Sequence, residues 1–149
     1  MAEKDLYEPL IPILKAEFED NEWEGYKFEI TSEGVFSEEV EEKHPIVKEV
    51  KNKFDKQLRP DLIAWNDDEI IIIEVKDDPF LYEDLYQGRG YAEVLGQTKV
   101  FLLSDKNFNT DQQRFLLRRQ DMLNYGGVKT FTGLILLDKE IIQWNEEPF

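Results

Sequence analysis

Three side chains within one short stretch have the types and the spacing to do chemistry together: Asp61, Glu74 and Lys76, in residues 59–76, RPDLIAWNDDEIIIIEVK. Asn66-Asp67-Asp68 supplies short polar side chains that bond their own backbone, which is turn chemistry. Residues 61–65 and 69–76 on either side read as strands. The second contains four consecutive isoleucines, and β-branched residues suit a strand far better than a helix. With a two-residue loop at Asp67-Asp68, Asn66 faces Glu69, and counting back along both strands sets Asp61 opposite Glu74. Their Cβ atoms are then about 4.5–5.5 Å apart on one face of the sheet. Lys76 follows about 7 Å further along that face, while Ile71, Ile73 and Val75 point the other way, into a core.

Two adjacent carboxylates repel each other, and one of them is driven toward a raised pKa. A hard divalent cation removes the conflict, since Mg2+ takes carboxylate oxygens at about 2.0–2.1 Å and keeps several waters. Such an ion polarises a phosphoryl oxygen and lowers the pKa of a bound water. Lys76 adds a mobile point charge for an attacking water or for developing negative charge. These are the parts of a metal-assisted phosphodiester hydrolase; the plain alternative is a surface hairpin with three solvated charges.

Pro60-Asp61, twelve intervening residues, then Glu74-Val75-Lys76 resembles the PD-(D/E)XK nuclease superfamily. Gln87-Gly88-Arg89-Gly90-Tyr91 is similar to the Q-x-x-x-Y motif of its RecB-type exonuclease branch. The resemblance covers about residues 60–91. It implies an α/β fold, a restriction-endonuclease-like mixed central β-sheet flanked by helices, and a nuclease dependent on Mg2+ or Mn2+. Asp61 and Glu74 would hold the metal with help from the Val75 carbonyl, and Lys76 would position the nucleophile or stabilise the transition state. Gln87 would orient the site and Tyr91 would lie near the substrate phosphate. Many nucleases of this kind add an acidic residue from the first helix; Glu8 and Glu17 are the candidates, and Glu8 is the one adopted as a metal ligand. Arg89, between two glycines, can reach a phosphate or stay solvated.

Length and composition bound the rest. A chain of 149 residues suits one domain with a real core, and 41% hydrophobic and 13% aromatic residues suffice for folding despite 34% charged ones. There is no cysteine, which excludes disulfides, thiolate zinc sites and the four-cysteine iron–sulfur cluster of some RecB-type relatives. Absent cysteine, a charged start without an apolar h-region, and no apolar run of membrane-spanning length set the expectation of a cytoplasmic protein without membrane contact. The net charge of −15 weighs against a nuclease, because affinity for nucleic acid comes largely from neutralising phosphates. The acid is spread over both halves, −7 in residues 1–60 and −8 in residues 61–149. The expected partner is therefore nucleic acid, DNA foremost, bound weakly by the isolated chain and helped by a homodimer or a partner protein. The alternative is a catalytically inert protein of the same fold acting as a binding or regulatory subunit.

The elements around the hairpin follow from periodicity. Leu6, Leu10, Ile13, Leu14 and Phe18 recur at helical spacing within residues 4–20, with Pro9 tolerated in a first turn. Tyr26, Phe28 and Ile30 alternate with polar residues as a half-buried strand. Residues 32–57 form a helical insertion between the first and second strands: an acidic helix or loop, a break at His44-Pro45, then an amphipathic helix. It is a lid or docking element, or packing on the sheet edge. His44, the only histidine, reads as a loop residue. Asp78 as N-cap and Pro79 at the first position open a helix reaching about Leu95. Leu81, Leu85, Gly88, Ala92 and Leu95 face the sheet along it, with Gly88 allowing close approach and Gln87 and Tyr91 sharing an edge. A strand at residues 98–103 then pairs in parallel with the hairpin. A helix from Asn109 or Thr110 to about Tyr125 carries Arg114 and Arg118, the nearest thing to a basic patch. A closing hairpin turns at Asp138-Lys139.

Overall fold

The computed structural model describes residues 3–54, 57–79, 81–106, 111, 114–115, 118–136 and 140–149. Its centre is one open, mixed seven-stranded sheet in the order β1-β2-β3-β4-β6-β5, with β7 also on β6. The strands are β1 (Lys27–Ile30), β2 (Leu62–Trp65), β3 (Ile70–Lys76), β4 (Lys99–Ser104), β5 (Asn124–Tyr125), β6 (Val128–Leu136) and β7 (Glu140–Ile142). The helices are α1 (Tyr7–Asp20, after a 3-10 turn at Glu3–Leu6), α2 (Glu38–Lys43), α3 (Pro45–Phe54) and α4 (Tyr82–Val94), with a helical turn at Gln120–Leu123. β1, β2 and β3 run antiparallel in turn, whereas β3, β4 and β6 are parallel neighbours.

The β2–β3 hairpin has the register that its spacing predicts. Leu62 faces Ile73, Trp65 faces Ile70, and the Asn66 N–H donates to the Glu69 carbonyl at 3.1 Å. Asn66 Oδ1 accepts from the N–H groups of Asp68 and Glu69, both at 2.9 Å, which fixes the turn. Alternation then divides the strand between two cores. Ile71, Ile73 and Val75 join Leu62 and Ala64 against α1, where Phe18 lies 5.1–6.1 Å from the rings of Trp23, Tyr26, Phe28, Phe101 and Phe149. Ile70 and Ile72 join Ile63 and Trp65 against Val47 and Val50 of α3 and Ala92 of α4. β3 is buried on both sides, as a strand with parallel contacts usually is, so polar groups at its end meet protein rather than bulk water.

Several expectations need correction. The insertion covers one face of the sheet rather than only its edge, because Val40, Val47 and Val50 supply the apolar cover that Ile63 and Ile72 require. His44 is the expected loop residue, between α2 and α3, and it is buried, its Nε2 2.6 Å from the Asn66 carbonyl and its ring edge-on to Trp65. α4 begins at Tyr82 rather than Pro79, because Asp84 Oδ2 accepts from the Leu81 N–H at 2.9 Å and caps the helix there. Asn124 and Tyr125 are strand, paired with Lys129 and Val128 around Gly126-Gly127, so the preceding helix does not reach Tyr125. Its caps Asn109 and Thr110, and the turn at Asp138-Lys139, lie outside the described residues. Arg114 and Arg118 are exposed. Among the described residues, no helix is long and apolar enough to cross a membrane.

Candidate active site

The open end of the hairpin carries the chemistry. Asp61 stands one residue before β2, level with Glu74 in the continued register, and both are buried. Two bonds orient the Asp61 carboxylate. The Tyr7 hydroxyl donates to Oδ1 at 2.8 Å and the Val75 N–H to Oδ2 at 2.8 Å. Its backbone is held too, since the Asp61 carbonyl accepts from the Thr31 N–H at 3.0 Å and Thr31 Oγ1 donates to the Pro60 carbonyl at 2.6 Å. Burial, then the Asp61 charge, raises the Tyr7 pKa well above its ordinary value, so the hydroxyl stays a donor.

Glu74 is in a different condition. It is 3% exposed, and its Oε1 has no hydrogen-bond partner. Burial first, and the Asp61 charge second, push its pKa far above the carboxylate range, with Lys76 opposing. Burial beside Asp61 therefore favours the protonated form of Glu74. Glu74 is also pressed from above. A Cβ on Gly88 would lie 2.7 Å from Val100 Cγ1 and 3.5 Å from Glu74 Cγ, so glycine is what lets α4 lie over this strand end.

Lys76 Nζ lies 3.4 Å from Asp84 Oδ1 and 3.8 Å from Glu3 Oε1. Burial alone would lower its pKa; Asp84, Glu3, Asp61 and Glu74 together outweigh that and raise it, so it is an ammonium. Glu3 is raised by burial first, with Asp61, Asp77 and Asp84 adding to it against the pull of Lys76. Four carboxylates thus surround one ammonium, an excess of negative charge that only a cation or protons can balance.

The remaining expected residues divide. The Tyr91 hydroxyl interacts with the Gln87 side chain and the Arg59 backbone, and burial followed by the Glu74 charge raises its pKa. Tyr91 is at the site, whereas Gln87 is exposed on α4 and is linked to it only through Tyr91. Glu8 is not at the site: it is exposed on α1, while its neighbour Tyr7 faces Asp61. Glu17 is further off, accepting from the Ile141 N–H at 3.3 Å. Arg89 is not at the site either, because its guanidinium lies 4.8 Å from the Tyr86 ring and 4.7 Å from the Tyr125 ring, with Glu93 at 3.7 Å. Two positions from Gln87 and two from Tyr91, Arg89 points away from both on a helix of 3.6 residues per turn. Sequence reasoning missed Tyr7, Glu3 and Asp84. The expected first-helix contribution was an acid, Glu8 or Glu17, and no spacing in the sequence singles out Tyr7, Glu3 or Asp84.

No protein-family model, curated protein or solved structure matches this chain. The fit to a divalent ion therefore rests on the donors themselves. Glu74 offers a buried, unpartnered oxygen, and each Asp61 oxygen keeps a lone pair beyond the one bond it accepts. Among the described residues, no three acidic or histidine side chains converge as a cage. Two carboxylates completed by backbone oxygen and water are what Mg2+ commonly uses, so the donors fit. The Val75 N–H is committed to Asp61, and Val75 pairs with Leu103 of β4 on its other side.

Proposed function

We propose that this protein is a Mg2+- or Mn2+-dependent nuclease with a restriction-endonuclease-like fold, its centre formed by Asp61, Glu74 and Lys76. One observation carries the reading: a buried glutamate oxygen without a partner, beside a second carboxylate, at the end of a fully buried strand. A purely structural pair gains nothing from that arrangement, since an unpaired buried polar atom costs about 1–3 kcal/mol. A bound ion would polarise the scissile phosphate and acidify a water.

The chain's own residues do the rest. Tyr7 and the Val75 N–H hold Asp61 in one orientation, so little reorganisation is needed when it acts. Lys76, held at salt-bridge distance by Asp84 and Glu3, keeps its charge at the mouth of the site and can turn toward the attacking oxygen. Gln87 and Tyr91 close the α4 side, with the tyrosine hydroxyl kept neutral as a donor toward phosphate. The second reading, an inert protein of this fold serving as a binding or regulatory subunit, draws on the net charge of −15 and on the engagement of Lys76 by two acids.

The test is cleavage of a mixed panel of linear, circular and branched DNA and RNA with Mg2+ or Mn2+, comparing wild type with Glu74→Gln. Metal-dependent cleavage lost in the variant is expected. Manganese binding without cleavage of any substrate would transfer the assignment to the regulatory reading.

A further inference from the structure

We propose that the outer edge of β1 takes up a basic, extended peptide segment of a partner protein as an added strand of the sheet. The inference does not draw on the chemistry of Asp61, Glu74 and Lys76; it names an interaction surface and the partner that fits it.

β1 is the first strand of the sheet order, and among the described residues only β2 pairs with it. The Thr31 N–H donates to the Asp61 carbonyl at 3.0 Å, one step beyond the Ile30–Leu62 pair, and so continues that ladder. Antiparallel partners alternate between hydrogen-bonded and open pairs. Lys27 and Glu29, like Thr31, therefore turn their backbone groups to β2, and Phe28 and Ile30 turn theirs outward. Among the described residues, neither Phe28 nor Ile30 has a backbone partner on that side. Free N–H and C=O groups repeating every two residues, about 7 Å apart, are what an incoming strand pairs with.

The far side of the sheet is closed where this one is open. There the Ile141 N–H of β7 donates to Glu17 Oε1 of α1 at 3.3 Å, and Ile141 is buried in the α1 core. Sheet edges are commonly blunted by such cover, by proline or by a free lysine. β1 has no proline, and its lysine is committed: Lys27 is paired with Glu39 and lies 5.3 Å from the centre of the Trp65 ring. A groove of about 480 Å3 runs beside the edge, lined by Lys27, Phe28, Glu29 and Ile30 of the strand and by Val35 and Phe36 beyond it. Val35 is 69% exposed and Ile30 36%. They offer apolar seats for alternate side chains of an added strand.

Charge selects the partner. Residues 19–42, which contain β1 and flank it on both sides, hold ten acidic residues and one basic, a net −9. Among the described residues, only Glu39 and Glu41 of these acids are in ion pairs, with Lys27 and Lys51. Glu33 and Glu38, which bracket Val35 and Phe36 in the chain, are exposed. A second copy of this chain would bring the same −9 to the same edge, and a nucleic acid strand would bring phosphates; both are repelled. A segment that alternates lysine or arginine with apolar residues supplies the complementary charge and the strand periodicity together.

The test titrates the full chain with a labelled peptide of alternating lysine and valine, read by anisotropy at low and moderate salt. Its comparators are the glutamate–valine analogue and the lysine–valine peptide with an N-methylated backbone. Wild type should bind the first peptide at least about tenfold more tightly than either comparator. Bound peptide should slow hydrogen exchange at the Phe28 and Ile30 amides, read by NMR, and leave Lys27 and Glu29, already paired to β2, unchanged. Ile30→Pro removes an outward donor at a position where an edge strand tolerates proline, and should cost about tenfold in affinity. Glu33→Gln combined with Glu38→Gln should cost about three- to tenfold and flatten the salt dependence. Equal binding of the three peptides, absence of binding, or protection that spares Phe28 and Ile30 would overturn the proposal. So would a wild-type dimer that Ile30→Pro dissociates, because the edge would then belong to a second copy. If Ile30→Pro does not fold, the N-methylated peptide and the amide protection decide the same point.

Discussion

The two ends of the β2–β3 hairpin contain similar residues in opposite conditions. Toward the turn end, the half-buried carboxylates of Glu29 and Glu69 each have partners. Glu29 accepts from the Ser37 N–H at 2.9 Å, from Ser37 Oγ at 2.6 Å and from Trp65 Nε1 at 2.6 Å. Glu69 is paired with Lys99 at 3.0 Å, and the Asn66 carbonyl with His44. At the open end, Asp61 is held by two donors, yet Glu74 is left with a bare oxygen and an adjacent negative charge. Both ends are packed by the same fold. Among the described residues, Glu74 Oε1 shares this condition only with Asp105 Oδ1, just past the end of the neighbouring strand β4.

The sharpest way to break this comparison is through Lys76. If the open end is catalytic, Lys76→Ala should cut single-turnover cleavage at saturating metal by about two to three orders of magnitude, the size of one preorganised electrostatic donor. Metal affinity should change little, and Lys76→Arg should restore only part of the rate, because a planar guanidinium does not occupy the place of a compact ammonium. Cleavage that survives Lys76→Ala unchanged would put the reacting centre elsewhere.

A second effect is read from stability. The folded pKa of Glu74 lies above its ordinary value of 4.5, so the folded state binds this proton more tightly than the unfolded chain does. The associated stability is fully present below the ordinary value and is lost as pH rises through the raised one. In EDTA, Glu74→Gln should therefore match wild type near pH 4 and exceed it by about 1–3 kcal/mol at pH 8, the usual cost of an unsatisfied buried group. Urea denaturation at several pH values checks this. Adding Mn2+ should stabilise wild type and not the variant. A gap that shrinks as pH rises would mean Glu74 is well accommodated when charged.

How far the sequence carries these points depends on how local the causes are. The register of Asp61 and Glu74 was legible because a two-residue turn and a period of two determine it, and both are local. Gln87 and Tyr91 came from the resemblance to the Q-x-x-x-Y motif, and the spacing of four added only that they share a helix edge. Gly88 was legible as a close approach, since it falls on the apolar stripe of its helix. The start of α4 was misplaced because Asp78-Pro79 imitates a cap, whereas Asp84 folding back on Leu81 is the cap that forms. Tyr7, Glu3 and Asp84 reach the site only through tertiary contact between α1, β3 and α4. Arg89 failed as a phosphate ligand for the same reason: its tyrosine partners include Tyr125, 36 positions away in sequence, which no motif announces.

The smallest expected effect is the control that gives the comparison its meaning. Glu29→Ala strips three donors of their acceptor toward the turn end, two of them on Ser37 and one on Trp65. Ser37 also caps α2, its Oγ accepting from the Val40 N–H at 3.2 Å, so the loss reaches the start of the insertion. The site is only partly buried, and water can replace some of what is lost. A decrease of about 1–2 kcal/mol in unfolding free energy is expected, with the same sign at pH 5 and pH 8. Cleavage and Mn2+ affinity should stay at wild-type levels while the protein is folded, because the Glu29 carboxylate, on β1 level with Ile63, is engaged by Ser37 and Trp65 rather than by Asp61 or Glu74. The signs then oppose each other: removing a satisfied glutamate destabilises and leaves chemistry intact, whereas neutralising an unsatisfied one stabilises and abolishes it. If Glu29→Ala instead raised stability or lowered the cleavage rate as Glu74→Gln does, burial of a carboxylate anywhere on this hairpin would explain both, and the open end would lose its claim to be the site.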